Sequence, residues 1–367
     1  MHVRSIKLRN YRNYNELNLE LSPSINIFLG ANAQGKTNIV EAVCYASLGR
    51  SHRTHADADL IRWQADDASI ELTFERRGVA NKLAFAFSRS KRRRMLLNGQ
   101  TIPLKELVGN LNTVLFSPED LFLIKGAPAG RRRFLDSEIS QASPAYYHEL
   151  LQYNRILSQR NTLLKRIREH RADASMLDLW DVQLAASAEK ITQKRQEAVR
   201  KLNMLANLMQ RRISGDQENL AVTYEIAGLE QEHMTKPLAS WYNEMLEKCR
   251  GTDILRGSTS IGPHHDDMVL FVNGINLRTF GSQGQQRTGV LSLKLAELEF
   301  LRSETGEYPI LLLDDVMSEL DALRRRQLLD FIRRERIQTL ITATDAAYFP
   351  QERFGTYYQV KQGTVSR

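Results

Sequence analysis

The chain holds 367 residues, 42% hydrophobic and 26% charged, enough for a substantial core beneath a polar surface and long enough for two domains. Lys and Arg total 51 against 43 Asp and Glu, and this formal charge of +8 favours a polyanionic partner. Two cysteines, Cys44 and Cys249, do not make a disulfide framework, and no apolar run has the length of a membrane span or the form of a signal peptide; a cytoplasmic protein with no membrane partner is expected.

The first decisive element is the strand-like run at 25–29, Ile-Asn-Ile-Phe-Leu, which leads into Gly30-Ala31-Asn32-Ala33-Gln34-Gly35-Lys36-Thr37. This is a complete G-x-x-x-x-G-K-T loop between a strand and a helix that begins near Asn38, the context that a phosphate-binding loop requires. Gly30 and Gly35 let the backbone N–H groups close on phosphate oxygens. Lys36 supplies a point charge for the β and γ phosphates. Thr37 offers a hydroxyl to Mg²⁺ and opens a helix whose N-terminal dipole favours anions. The expected ligand is a nucleoside triphosphate.

Residues 1–120 read as sheet-rich, with alternating runs at 69–74 and 83–87 and a turn signal at Asn98-Gly99. From 146 to 213 the apolar spacing becomes helical with a polar break at 169–175, predicting two antiparallel helices in a compact lobe. Beyond 254 the strand and turn texture returns, as at 268–272 before Asn273-Gly274. The spacing predicts three parts: 1–135 as the N-terminal part of the nucleotide-binding domain, 136–250 as an inserted helical lobe, and 251–367 as its C-terminal part.

A second decisive element is Ile310-Leu311-Leu312-Leu313-Asp314-Asp315, a buried strand ending in paired carboxylates. Parallel strands deliver functional side chains at their C-terminal edge. Asp314 is expected to hold Mg²⁺ through water and Asp315 to polarise the hydrolytic water, which with Lys36 makes up the catalytic set. Between loop and strand lies Phe280-Gly281-Ser282-Gln283-Gly284-Gln285-Gln286-Arg287 before a helical run, where Ser282 is placed to cap the helix.

The order of these elements, closed by Ser318-Glu319-Leu320-Asp321, resembles the heads of ABC-type and SMC-type ATPases. Within that superfamily the chain resembles the RecF family over nearly its whole length. The likeness rests on Leu8-Arg9-Asn10-Tyr11-Arg12-Asn13-Tyr14, the loop residues through Asn38, Gly49-Arg50-Ser51-His52-Arg53, Phe116-Ser117-Pro118-Glu119-Asp120-Leu121, Arg131 to Asp136 and Gly262-Pro263-His264. The fold class it implies is α/β, an ABC-type ATPase head (P-loop NTPase) with an inserted α-helical lobe. The resemblance implies an ATP-dependent head-to-tail homodimer in which Ser282, Gly284 and Gln285 of one subunit close over the nucleotide of the other. It further implies a recombination mediator that binds duplex DNA at gaps and junctions, cooperates with RecR and RecO to load RecA in DNA repair, replication and the SOS response, and turns ATP over weakly under DNA stimulation.

Against the wider superfamily, the catalytic glutamate of transporters is replaced by Asp315, shorter by one methylene. A switch histidine is absent at 342–345, and no Q-loop glutamine stands at 116–120. Slow hydrolysis is expected. His264-His265-Asp266-Asp267 offers ligand residue types, but adjacent positions on a strand-like entry diverge, so no metal is assigned there. The runs Lys91-Arg92-Arg93-Arg94, Arg131-Arg132-Arg133 and Arg324-Arg325-Arg326 offer phosphate contacts, with Arg92, Arg93, Arg131, Arg132 and Arg133 as the DNA-binding candidates. Arg131 begins a helix, an unfavourable place for a cation without an anion nearby, and acidic side chains of its own lobe are the alternative to phosphate. Two other functions stay open at this level: a stand-alone P-loop enzyme such as a small-molecule kinase, and an SMC-like DNA-binding scaffold that uses ATP structurally.

Overall fold

The computed structural model describes residues 1–229, 236–350 and 354–367. Strands β1 (His2–Tyr11), β2 (Tyr14–Glu20) and β3 (Ile25–Leu29) are followed by helix α1 (Lys36–Leu48). Strands β4 (Asp67–Arg76), β5 (Val79–Ser88), β6 (Arg94–Leu97) and β7 (Gln100–Thr101), helix α2 (Leu104–Leu107) and strand β8 (Thr113–Phe116) come next. Helices α3 (Phe122–Lys125), α4 (Pro128–Ala142), α5 (Pro144–Arg168) and α6 (Leu177–Ser214) precede strand β9 (Leu220–Glu225), helix α7 (Leu238–Arg256), strands β10 (Asp267–Val272) and β11 (Ile275–Asn276) and helix α8 (Leu277–Phe280). The chain closes with α9 (Gln283–Thr305), β12 (Ile310–Asp314), α10 (Ala322–Glu335), β13 (Thr339–Ala343), β14 (Thr356–Lys361) and β15 (Thr364–Ser366).

Two compact units result: Met1–Asp120 with Val290–Arg367, and Leu121–Gly289. In the first, β3, β12 and β13 are buried at every position, the signature of strands covered on both faces of a parallel sheet. Their sheet runs β15-β14-β3-β13-β12-β8, parallel from β14 to β8. A second, antiparallel sheet runs β2-β1-β4-β5-β6-β7, with β4 and β5 alternating in burial as one-sided strands do. Its β6–β7 hairpin turns at Asn98 and Gly99, both at positive φ (51° and 85°), as a two-residue primed turn requires. Helix α1 is buried almost all round, and its Ile39, Val43 and Tyr45 share one core with Ile70, Phe85 and Phe87 of this sheet and with Leu312 and Leu340 of the parallel sheet. The Tyr45 ring meets Phe85 and Phe87 edge-on at 5.4 and 5.2 Å.

In the second unit α5 and α6 lie either side of the polar break, and α6 is a single helix of 38 residues. Arg160 of α5, fully buried, binds Asp181 of α6 at 2.6 Å and Asp253 of α7 at 2.8 Å, joining three helices through one guanidinium. The unit is not purely helical: β9 pairs antiparallel with β10, which pairs with β11. That pairing joins Leu220 to Val272 and draws 251–289 into the lobe, while 121–135 packs there as α3 and the start of α4. The observed division therefore falls at 121 and 289, in place of the expected 136 and 250. The Ser282-Gln285 segment belongs to the lobe's unit.

His264 shows how tightly this lobe is closed. Its Nδ1 lies 2.5 Å from the Tyr153 hydroxyl and its Nε2 3.2 Å from the Thr259 carbonyl, an arrangement met by a neutral ring that accepts from Tyr153 and donates to Thr259. Burial, with His265 beside it, pushes the His264 pKa down from 6.5 to about 4. The unfolded imidazole takes up its proton near 6.5 and the folded one only near 4, so the unfolded state binds more protons in between and stability falls as pH drops through that window. Urea unfolding between pH 7 and 4 is expected to show this slope, and His264→Gln to make it shallower; an equal slope in the variant would assign the acid sensitivity elsewhere.

Candidate nucleotide site

Strand β3 delivers the loop Gly30 to Thr37 at the C-terminal edge of the parallel sheet. Gly35 adopts φ 111°, and a Cβ there would meet the Asn13 side chain at 2.6 Å, so only glycine fits without displacing a loop anchor. Ala31, Asn32 and Ala33 are exposed while Gly35 and Lys36 are buried. The Lys36 ammonium lies inside the loop, donating to the carbonyls of Gly30 at 2.6 Å and Ala31 at 2.7 Å. Burial lowers its pKa, opposed by the charges of Asp315 and Asp314.

The loop is pinned from outside by side chains of the opening strands. Asn13 donates to the Gln34 carbonyl (2.9 Å) and accepts from Asn38 (2.8 Å), and Asn38 in turn accepts from Arg53 (2.9 Å). The amides of Gln362 and Gly363 donate to the side-chain and main-chain oxygens of Gln34 at 2.7 and 3.1 Å. Beneath them Glu41, fully buried on α1, receives Arg12 through both carboxylate oxygens (2.6 and 2.9 Å) and the Ser51 hydroxyl. Burial raises its pKa, yet hydrogen bonds from Arg12 and Ser51 and the charges of Arg12 and Arg53 outweigh this and hold it below the ordinary glutamate value. Glu41 is thus a fixed anion that holds Arg12 and the 49–53 segment against the helix behind the loop.

Asp314, at the end of β12 and 8% exposed, accepts from the Thr37 hydroxyl at 2.8 Å and from Thr342 at 2.8 Å. Thr342 stands directly opposite it on β13, and its hydroxyl also accepts from the Asp315 amide at 2.9 Å. Asp315 is held at φ 54°, in the left-handed region that few residues other than glycine adopt and that aspartate enters more readily than most. Burial raises its pKa against the pull of Lys36, with Asp314 adding to the rise. A hydroxyl, a buried carboxylate and a cradle of loop amides form the donor set that fits a hard dication and a triphosphate.

In the other unit Ser282 and Gln285 bond reciprocally: the Gln285 amide donates to the Ser282 hydroxyl at 3.2 Å and the Ser282 amide to the Gln285 side chain at 3.1 Å. This capping box opens α9 and leaves Ser282 and Gly284 exposed. Gln285 also donates to Glu218 at 3.1 Å.

The family described as RecF/RecN/SMC N terminal domain matches residues 2–365. The DNA replication and repair protein RecF of an Exiguobacterium species is 44% identical, covering 100% of this chain and 99% of that one; RecF of Halothermothrix orenii is 43% identical with the same coverage. The chain belongs to the RecF family. A solved structure described as the recombination mediator protein RecF-ATP in the RecFOR pathway is 34% identical, with a TM-score of 0.91 over 100% of this chain and 97% of that one. An Smc head bound to a winged-helix domain of ScpA, 14% identical with a TM-score of 0.59, shares the fold.

Four residues that brace the loop and the paired carboxylates, Asn13, Arg12, Glu41 and Thr342, are not among the site residues expected from the sequence. Arg12 and Asn13 lie in a string that carried the family resemblance, so a signal was present. Thr342 carries no such signal, since a threonine near the end of an apolar strand has no pattern of its own.

The basic runs divide. Arg131 is 3% exposed and gives two hydrogen bonds to Asp267, both 2.7 Å, and others to the carbonyls of Leu123 and Gly126. It is corrected from a DNA candidate to an internal ion pair, the anion near its helix start being a carboxylate of its own lobe. Arg132 is half-buried and donates to the Asp266 carbonyl at 2.7 Å, whereas Arg133 is exposed. Arg93 turns inward to the Tyr45 hydroxyl and the Gly49 carbonyl, both 2.6 Å, and to Asp57, and is likewise withdrawn; Arg92 is exposed.

Two outcomes are expected. Arg131→Ala leaves Asp267 without its partner and costs about 3 kcal/mol of stability in chemical unfolding, with DNA affinity of the folded protein unchanged. Thr342→Val removes a donor from Asp314 and an acceptor from the Asp315 amide, costing about 1–3 kcal/mol and slowing ATP hydrolysis by roughly tenfold or more; unchanged hydrolysis would remove Thr342 from the site.

Proposed function

We propose that this protein is an ATP-dependent recombination mediator that dimerises head to tail on ATP, binds duplex DNA near single-strand gaps and, with RecR and RecO, promotes loading of RecA in repair and replication restart. The observation that supports this most directly is a complete phosphate site, Lys36, Thr37 and Asp314, in a chain that also carries an exposed, capped helix start at Ser282. The relatives' name and the RecF-ATP structure support ATP as ligand and DNA repair as the setting. A cytoplasmic location is part of this reading, and no helix among the described residues is long and apolar enough to cross a membrane.

The chemistry follows from the chain's own groups. Lys36 places a positive charge against the β and γ phosphates, and the loop amides and the dipole of α1 fix their orientation. Mg²⁺, when bound, would offset phosphate charge, and Thr37 and Asp314 are the residues that would hold it, Asp314 already fixed by two hydroxyls. Asp315 would orient the attacking water. Its side chain is one methylene shorter than the glutamate of transporters, which shortens its reach to the attacking water and supports slow turnover. Ser282, Gly284 and Gln285 of the second subunit would complete the γ-phosphate shell, so hydrolysis would wait on dimerisation.

Sedimentation with ADP, ATP and a slowly hydrolysed analogue, with and without gapped duplex, tests this reading. Dimer formed only with triphosphate and lost in Ser282→Arg, together with a fall in hydrolysis of roughly tenfold or more, is the expected result. A monomer under every condition would remove the in-trans mechanism.

A further inference from the structure

One surface of the first unit is used by none of this. The antiparallel sheet places Arg9 of β1, Ser69 of β4, Ala86 of β5 and Arg94 of β6 in a single cross-strand row. At strand spacing the outer two lie roughly 14 Å apart, with two small side chains as the floor between them. The result is a groove of about 440 Å³ whose lining includes Arg9, Lys91, Arg92 and Arg94 against Asp66 and Asp67. None of the four cations makes an ion pair among the described residues, whereas Arg93, between two of them, is turned inward to Asp57.

Trp63 stands beside this groove and is 90% exposed. A single exposed apolar side chain is ordinary. This one is a whole indole on a turn that is hydrogen-bonded to the groove: the Arg62 amide donates to the Asn10 carbonyl (2.8 Å), the Ala65 amide to the Arg62 carbonyl (3.1 Å), and the Arg89 side chain to the Ala65 carbonyl (2.9 Å). Asn10 and Ala65 are themselves groove lining.

We infer that this groove binds single-stranded nucleic acid, the cations tracking the phosphates while an unpaired base stacks on Trp63. Charge complementarity selects a polyanion, and the indole selects among polyanions. Bases inside a duplex are already stacked on one another and offer Trp63 no face, whereas each unpaired base has one to offer, whatever its sequence. The inference deepens the DNA-binding reading above and rests on it: the groove would take the unpaired strand of a gap.

The test is anisotropy of labelled oligo(dT) of roughly 16 nucleotides, the upper site size of such grooves, and of a blunt duplex of equal length, each titrated with the full chain in the presence of ATP. Trp63→Ala is expected to weaken oligo(dT) binding by roughly 5- to 100-fold, with Trp63→Phe restoring most of it and duplex affinity unchanged. The double variant Arg9→Ala/Arg94→Ala should reduce the salt dependence of oligo(dT) binding by roughly one to two phosphate contacts. Basal ATP hydrolysis without DNA, unchanged in each variant, verifies the fold. Equal oligo(dT) affinity in wild type and Trp63→Ala overturns the inference, as does a wild type that binds duplex but not oligo(dT), the DNA-binding reading then surviving. A wild type that binds neither overturns both.

Discussion

The site depends on one carboxylate with two hydroxyls. Asp314 accepts from Thr37, at the start of α1, and from Thr342, on the strand between β3 and β12. Strand β13 pairs on one side with β3, Thr342 opposite Phe28, and on the other with β12, Thr342 opposite Asp314. A one-residue slip in either ladder would point Thr342 or Asp314 to the other face of the sheet. The fully apolar strands therefore bear on the chemistry: their burial on both faces sets the register that brings loop, carboxylate and threonine to the same edge.

A second constraint acts from behind. Helix α1 is wedged in a core shared by both sheets of its unit, so its axis is set by packing on every side. The buried Glu41 gives that packed helix one charge, which Arg12 and Ser51 neutralise and orient. Removing Arg12 would strip the buried carboxylate of its bidentate partner, whereas removing Ser51 would cost it one hydrogen bond. Through Arg53, Asn38 and Asn13 the arrangement extends to the carbonyl of Gln34, and the loop is braced by helix, strand and C-terminal hairpin together.

What could be read from the sequence follows from distance along the chain. The loop, the strand ending in Asp314-Asp315, the Ser282 cap and the Asn98-Gly99 and Asn273-Gly274 turns are local patterns whose residue types state their own geometry. The lobe boundaries are not local: β9 reaches across an intervening helix to β10, and no short window holds both. For Arg131 the sequence offers an acidic side chain of its own lobe as the alternative to phosphate but does not say which, since Asp267 lies 136 positions away. Thr342 was invisible for another reason, a threonine ending an apolar strand being unremarkable until its neighbour in the sheet is known.

The arginine runs carry a more general lesson about net charge. Adjacent side chains diverge by about 100° on a helix and 180° on a strand, so three consecutive arginines in a folded element cannot all face solvent if one face of that element is buried. On helices, Arg131 turns in to Asp267 while Arg133 stays out, and Arg325 folds over the Tyr348 ring while Arg326 stays out; in the segment leading into β6, Arg93 turns in to Asp57 while Arg92 stays out. Each run thus divides between internal attachment and outward charge, Arg132 itself donating to the Asp266 carbonyl. The charge of +8 states the balance of the whole chain but not where a phosphate could touch it. The inward arginine of a run fixes the backbone from which its neighbours project. A basic run on a folded element therefore makes a more ordered phosphate surface than the same residues on a loose loop, because part of its charge has been given up to hold the rest in place.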